Sequence, residues 1–313
     1  MEISTPDVPT HPPTGPWWPS PWGPDDQQGA TNRVTTSTVM RAAGWIKRGE
    51  VLDLGFPFRS KYPDFHHRDY VLATAGGPSG GPMGASGIVY NDDVVSGQFT
   101  GMSTHLNALV HCGQQLGEHG DARTIHYYNG FSHAEIAGPW GFKKLGMENV
   151  KPLFVTATVA DLAAYRGAPV EPGETYGIDD IRGALGKQGL SEDDIRPGEA
   201  LFCRVGNDHL YFSDPERYVA GAPGMTPETA EWIASLEVAV VGADAVALEP
   251  VPPVSDRLGE VHATFLCRNG IHCLINVNLE PLTQRGIWQA AFGCGPVAFT
   301  GAQGSPVRPF AVI

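Results

Sequence analysis

Two imidazoles and a carboxamide fall close together in Gly101-Met102-Ser103-Thr104-His105-Leu106-Asn107-Ala108-Leu109-Val110-His111. Imidazole nitrogens can bind zinc, manganese or iron, and a neutral imidazole can act as a base near neutral pH. In an extended segment, His105 and Asn107 face the same side. A helix starting near Asn107, which Ala108 to Val110 permit, would place His111 one turn further on. Asn107 brings no negative charge, so it is the weak member of any set built to hold a dication. Two hydrogen-bonded structural histidines would show the same spacing. His262 immediately precedes an apolar run, where a lone imidazole needs a partner. It can reach across the fold to His105 or take a hydrogen bond within the core.

Other polar clusters are weaker candidates. His66-His67 lies between Asp64 and Asp69, as a pocket rim or a surface loop. His126-Tyr127-Tyr128-Asn129-Gly130 mixes aromatic surface with residues that supply turn geometry, and His133 stands two residues from Glu135. No Gly-x-Ser-x-Gly elbow is present. Cys112 follows His111, but adjacent side chains need not point together. The Gly-rich stretch Gly76 to Gly84 lacks the Lys-Ser/Thr ending of a phosphate loop. It reads as an ordinary loop, or as a flap over a pocket.

The elements that must position these groups read as α/β. Thr36 to Lys47 has a helical apolar side, and Glu50 to Leu54 reads as a strand ended by Gly55. Leu153 to Thr158 reads as a strand followed by a short helix from Val159 to Tyr165. Asp179 to Gln188 is helical. Ala200 to Val205 and Val238 to Asp244 are apolar strands suited to a sheet covered on both faces. Thr226 can cap a helix opened by Pro227. Leu279 to Gln284 is another short helix, and Gly304 to Ile313 ends in a strand. Pro12, Pro13, Pro16, Pro19, Pro21 and Pro24 forbid a regular helix in residues 1–30, which form an extended arm. Trp17, Trp18 and Trp22 should pack that arm on the body or on a neighbouring subunit. Residues 31–313 carry no flexible linker and form a single domain.

Composition narrows the partners. With 42% hydrophobic and 18% charged residues, the chain can build a large core. A net charge of -13 without a Lys/Arg block argues against nucleic acid and anionic membranes. No segment is long and apolar enough to span a bilayer. The five scattered cysteines form no CxxC pair, and no basic-then-apolar leader opens the sequence, so reduced thiols in a cytoplasm are expected.

Taken together, the ordered motifs resemble the cyclase superfamily that includes kynurenine formamidase and isatin hydrolase, especially its longer bacterial and fungal members. Trp22-Gly23-Pro24-Asp25-Asp26-Gln27 resembles the opening of those members. Ser103 to His111 is similar to their His-x-Gly-Thr-His-x-Asp-x-x-x-His signature. Tyr128-Asn129-Gly130, Val240 to Asp244, Glu249, His262, Asn269-Gly270-Ile271 and Ser305 to Pro309 continue the likeness. The resemblance implies a compact α/β fold of the swivelling β/β/α type, with a mixed sheet and peripheral helices. It also implies homodimers or larger homo-oligomers, and hydrolysis of a small amide, cyclic imide or lactone by water activated on zinc or manganese.

The signature's first histidine corresponds to Gly101, its glycine to Ser103 and its aspartate to Asn107. A late glutamate corresponds to Ile275, whereas the late histidine is kept as His262. The implied metal set is therefore His105, His111 and His262, with Asn107 beside them. The alternatives are a metal-independent cyclase, isomerase or lyase in which His105 or His111 is the base and Asn107 an oxyanion donor, or a small-molecule binding protein.

Overall fold

The computed structural model describes residues 17–59, 62, 63, 68, 70–98, 100, 101 and 103–313. Among these, nine strands hydrogen-bond into one mixed sheet. In chain order they are β1 (Val51–Asp53), β2 (His105–Asn107), β3 (Leu153–Asp161), β4 (Ala200–Arg204), β5 (Val240–Ala243), β6 (His272–Ile275), β7 (Gln289–Cys294), β8 (Gly304–Pro306) and β9 (Phe310–Val312). Across the sheet the order is β1-β9-β7-β3-β4-β5-β6-β2-β8. The central strands β3 to β6 run parallel, and antiparallel pairs flank them on both sides. Every residue of β5 and β6 is buried, as continuous apolar strands covered on both faces require. The result is the expected α/β fold, a curled mixed sheet with peripheral helices.

Three helices show why the sequence cues work. Thr35 caps α1 (Thr36–Ala43) through a reciprocal pair with Thr38, and α1 packs against β3 and β7. Helix α2 (Ile178–Lys187) also packs on β3. Thr226 accepts from Thr229 N at 3.2 Å and caps α3 (Pro227–Ser235), with Pro227 at the first position.

The helix expected from Val159 to Tyr165 is shifted. Strand β3 runs on to Asp161, and the helix occupies Leu162–Arg166. Pairing with β4 continues to Asp161 opposite Arg204, so sheet hydrogen bonds prevail over the local helical preference of the alanines. Asp161 then caps the helix through Ala164 N at 3.0 Å.

The Gly-rich stretch is also more ordered than a plain loop. Tyr70–Thr74 pairs with Asp93–Gly97, and Gly80–Met83 pairs with Ile88–Tyr90. The two hairpins form a largely exposed arm.

A buried carboxylate ties the ends of β4 and β5. Asp244 accepts from the backbone N–H groups of Val205 (2.6 Å), Gly206 (2.9 Å), Asn207 (2.8 Å) and Asp208 (3.2 Å). At the N-terminal end, Trp17 donates to Tyr127 O at 3.0 Å and Trp18 stacks on His126 at 4.9 Å. Residues 17–30 thus pack on the body, while the earlier part of the arm lies outside the described residues. Among the described residues, no helix is long and apolar enough to cross a membrane.

Candidate active site

Strand β2 places His105 opposite Ile275, the last residue of β6. Such a position, at the carboxyl end of parallel strands, is where open α/β sheets leave room for ligands. The His105 imidazole is buried, and its Nδ1–H donates to Ser103 O at 2.7 Å. In that tautomer the approach of Gly101 N at 3.4 Å is no hydrogen bond. The Ser103 carbonyl also accepts from Asn276 Nδ2 at 3.0 Å, and Asn276 Oδ1 accepts from the Tyr218 hydroxyl at 2.9 Å. Burial lowers the His105 pKa to about 3, with His111, Arg68 and His262 adding to the effect.

The helix expected after Asn107 does not form. Ala108 N instead bonds to Gln303 O at 3.0 Å, which carries the backbone along the edge of the sheet, and a turn closes with His111 N on Ala108 O at 2.9 Å. The turn still delivers His111 to the site. Its Nδ1–H donates to Gln303 Oε1. Burial and the neighbouring His262 lower its pKa to about 4.

His262 arrives from the segment between β5 and β6. Its ring centroid lies 6.1 Å from that of His111. Glu249 holds it twice, accepting from His262 Nδ1 at 2.5 Å and from its backbone N at 2.8 Å. Burial opposes charge on His262, but the Glu249 carboxylate prevails and holds its pKa above the ordinary histidine value. For Glu249 burial likewise acts upward, yet His262 keeps its pKa below the usual carboxylate value. An imidazole that resists its proton therefore stands beside one that holds it more readily than an ordinary histidine, the arrangement that separates a base from an acid.

Arg68 supplies a further cation. Its Nη1 donates to the Thr100 carbonyl and, at 2.9 Å, to Thr100 Oγ1. The same hydroxyl accepts from Gln303 Nε2 at 2.8 Å, which links Arg68 to the partner of His111. Gly101 has φ +92°, and a Cβ built there would lie 2.7 Å from Arg68 Nη1. The guanidinium thus takes the space that a side chain at position 101 would need. Asn107 is buried on the side of β2 that carries His105, and its Oδ1 has no protein partner. Such an atom calls for a bound polar group.

A resident zinc or manganese ion fits these residues poorly. Among the described residues, no group of three or more His, Cys, Asp or Glu side chains is gathered as a metal-ligand set. The Glu249 carboxylate, which reaches this histidine group, is engaged by His262. Arg68 places positive charge beside His105 and His111, which opposes a dication.

Other candidates do not join the site. His133 Nδ1 meets the Tyr127 hydroxyl at 2.8 Å, and Glu135 accepts from Ser132. His126 Nδ1 meets Gly130 O at 3.0 Å, and Asn129 at φ 57° supplies the turn. Burial pushes the Cys112 thiol up to about 12, which removes it as a nucleophile. His66-His67 lies outside the described residues. The sequence offered no signal for Arg68 or Gln303. Glu249 could have been found as the carboxylate that the buried His262 needs.

The Cyclase family model matches residues 52–250. A crystal structure described as a novel cyclase is 31% identical, with a TM-score of 0.78, over 93% of this chain and 98% of that one. The chain belongs to the cyclase family, and it is an enzyme of the class that works on small molecules. The fold is shared with isatin hydrolase A from Ralstonia solanacearum, at 19% identity and a TM-score of 0.56 over 89% of this chain and 97% of that one. It is also shared with a protein from Bacillus stearothermophilus described as a predicted metal-dependent hydrolase. That structure is 15% identical, with a TM-score of 0.52, over 84% of this chain and 97% of the other. No curated protein matches the chain.

Proposed function

We propose that this enzyme moves protons on a small carbonyl compound without a metal ion, as a cyclase, isomerase or lyase. The observation that carries this reading is the neighbouring pair of His111 and His262, with ring centroids 6.1 Å apart and each Nδ1 anchored by an acceptor. Anchoring Nδ1 leaves Nε2 of each ring for substrate. His111 accepts the proton as general base, and His262, backed by Glu249, donates one as general acid. Arg68 stabilises the charge that grows on the carbonyl oxygen, and the unpartnered Asn107 Oδ1 accepts from a hydroxyl or N–H of the substrate. His105 completes the polar wall.

Hydrolysis on zinc or manganese held by His105, His111 and His262 is the competing reading. It draws on the Nε2 lone pairs that the Nδ1 bonds leave open, a pattern common among metal-bound histidines. The two are separated by measuring metal content and turnover together. Purified full-length protein should carry no stoichiometric metal by mass spectrometry. Turnover found in a panel of lactones, cyclic imides and hydroxy carbonyl compounds should survive EDTA and fall at least about a hundredfold in His111→Gln. Stoichiometric metal whose removal abolishes turnover would overturn the proposal.

We further propose that residues 31–313 act as one catalytic domain and that the enzyme works as a homo-oligomer in the cytoplasm. A contiguous core running from Ala30 to Ile313 supports the first point, and five cysteines free of disulfides support the compartment. The hairpin arm supports self-association. Val94 is 67% exposed, Ile88 56% and Val71 53%, and the charged residues between Tyr70 and Gly97 are Asp92 and Asp93. Two-stranded hairpins need cover to be stable, and a second copy offers it. Light scattering should show a dimer or larger species that Val71→Asp with Val94→Asp reduces to monomer. A monomeric wild type at micromolar concentration would remove this part.

A further inference from the structure

A cleft of about 270 Å³ opens where the segment after Glu249 passes the start of α3. Met225, Pro227, Pro250, Val254, Leu258 and Val261 give it apolar walls, and Glu249 reaches it. None of His105, His111 and His262 lines it. Val254 is 60% exposed and Leu258 50%, so two large apolar side chains stand at its mouth partly uncovered.

The charges around the cleft are already matched. Arg257 is held by Glu228 and Glu260, each at 2.5 Å. Both oxygens of Glu249 are taken by His262. An anionic ligand finds no unpaired cation among the lining residues, whereas a neutral one only displaces water from apolar walls. The volume lies at the small end of ligand-sized cavities. It suits one ring or a fused pair and is too small for a folded peptide segment or a nucleotide.

We infer that this cleft is a second binding site, for a small, neutral, largely apolar ring compound, in contact with the histidine pocket through Glu249. Glu249 fixes His262 through both of its oxygens, so a ligand seated here bears directly on the acid of the proposed reaction. That last link rests on the proposed function; the binding itself does not.

The test is ligand-observed fluorine NMR on the full-length protein with 5-fluoroindole, compared with 5-fluoroindole-2-carboxylate. The expected result is saturable binding of the neutral compound, with the carboxylate at least about tenfold weaker. Leu258→Trp and Val254→Trp, both at exposed positions, should fill the mouth and weaken binding by about tenfold or more while leaving the circular dichroism unchanged. His111→Gln should leave the affinity as it is. Absence of saturable binding would overturn the inference, as would tighter binding of the carboxylate. So would loss of binding in His111→Gln with retention in Leu258→Trp, which would put the ligand in the histidine pocket. A failure of the proposed reaction would appear in the metal and turnover measurements and would leave these binding results standing.

Discussion

Asp244→Ala is expected to cost about 3–5 kcal/mol of folding stability, measured by urea unfolding near pH 8. The carboxylate is fully buried and accepts four backbone N–H groups, from Val205 to Asp208. Alanine leaves all four donors without an acceptor and leaves Arg204 without one of the acids around it. Asp244→Asn should be milder, about 1–3 kcal/mol. One oxygen of Asp244 serves Val205 and the other serves Gly206, Asn207 and Asp208. An amide keeps one of these acceptors and turns a donor toward the remaining N–H. A stability equal to that of the wild type in both variants would mean that the cradle contributes nothing to the fold.

Mild acid should also weaken the fold, well above the pH at which ordinary carboxylates take up protons. His105 and His111 have folded pKa values of about 3 and about 4, against 6.5 for an ordinary histidine. Between these limits the unfolded chain binds two protons that the folded chain refuses. Stability is thus full above the unfolded value and falls as the pH drops. Asp244 partly offsets this, because burial and the neighbouring Asp208 push its carboxyl up, against the pull of Arg204 and the backbone N–H groups.

Each proton taken up on unfolding gives a slope of about 1.4 kcal/mol per pH unit, or about 2 kcal/mol between roughly pH 6 and 4.5. His262 does not enter in this window. Its folded pKa is raised, so its contribution is complete below the unfolded value and is lost only as pH rises through the folded one. Urea unfolding followed by circular dichroism across the window checks the slope. His105→Gln should flatten it, and a wild type indifferent to pH there would show that the two buried imidazoles titrate like free ones.

Much of the sheet was legible because its strands are written as apolar runs. Val238 to Asp244 and Ala200 to Val205 announced β5 and β4 to within two residues at each end. The Thr226-Pro227 start of α3 was equally plain, since cap and first turn are local chemistry. What failed was decided at long range. Val159 to Asp161 stayed in β3 because β4 pairs with it, and Ala108 to Val110 turned instead of coiling because Gln303 holds Ala108 N.

The site divides in the same way. His105 and His111 drew attention by residue type and spacing and His262 by its isolation before an apolar run, and the fold places the three close enough for each to affect the charge of the others. Arg68 and Gln303 were not readable. Neither sits in a pattern, and each reaches the site through contacts that only the folded chain creates, over 32 residues from Arg68 to Thr100 and 192 from His111 to Gln303.

The contact between Gly101 and Arg68 has a consequence for how this enzyme can change over time. A side chain at position 101 must endure φ +92° and displace a guanidinium whose nearest nitrogen lies 2.7 Å from the new Cβ. Replacing Arg68 first would strip Thr100 of a donor and His111's neighbourhood of its cation, with nothing gained. The guanidinium is the far end of a flexible side chain and can move aside, so the backbone conformation is what holds position 101 to glycine. Of the changes open at these two positions, one at 101 meets the backbone penalty first, whatever residue stands at 68.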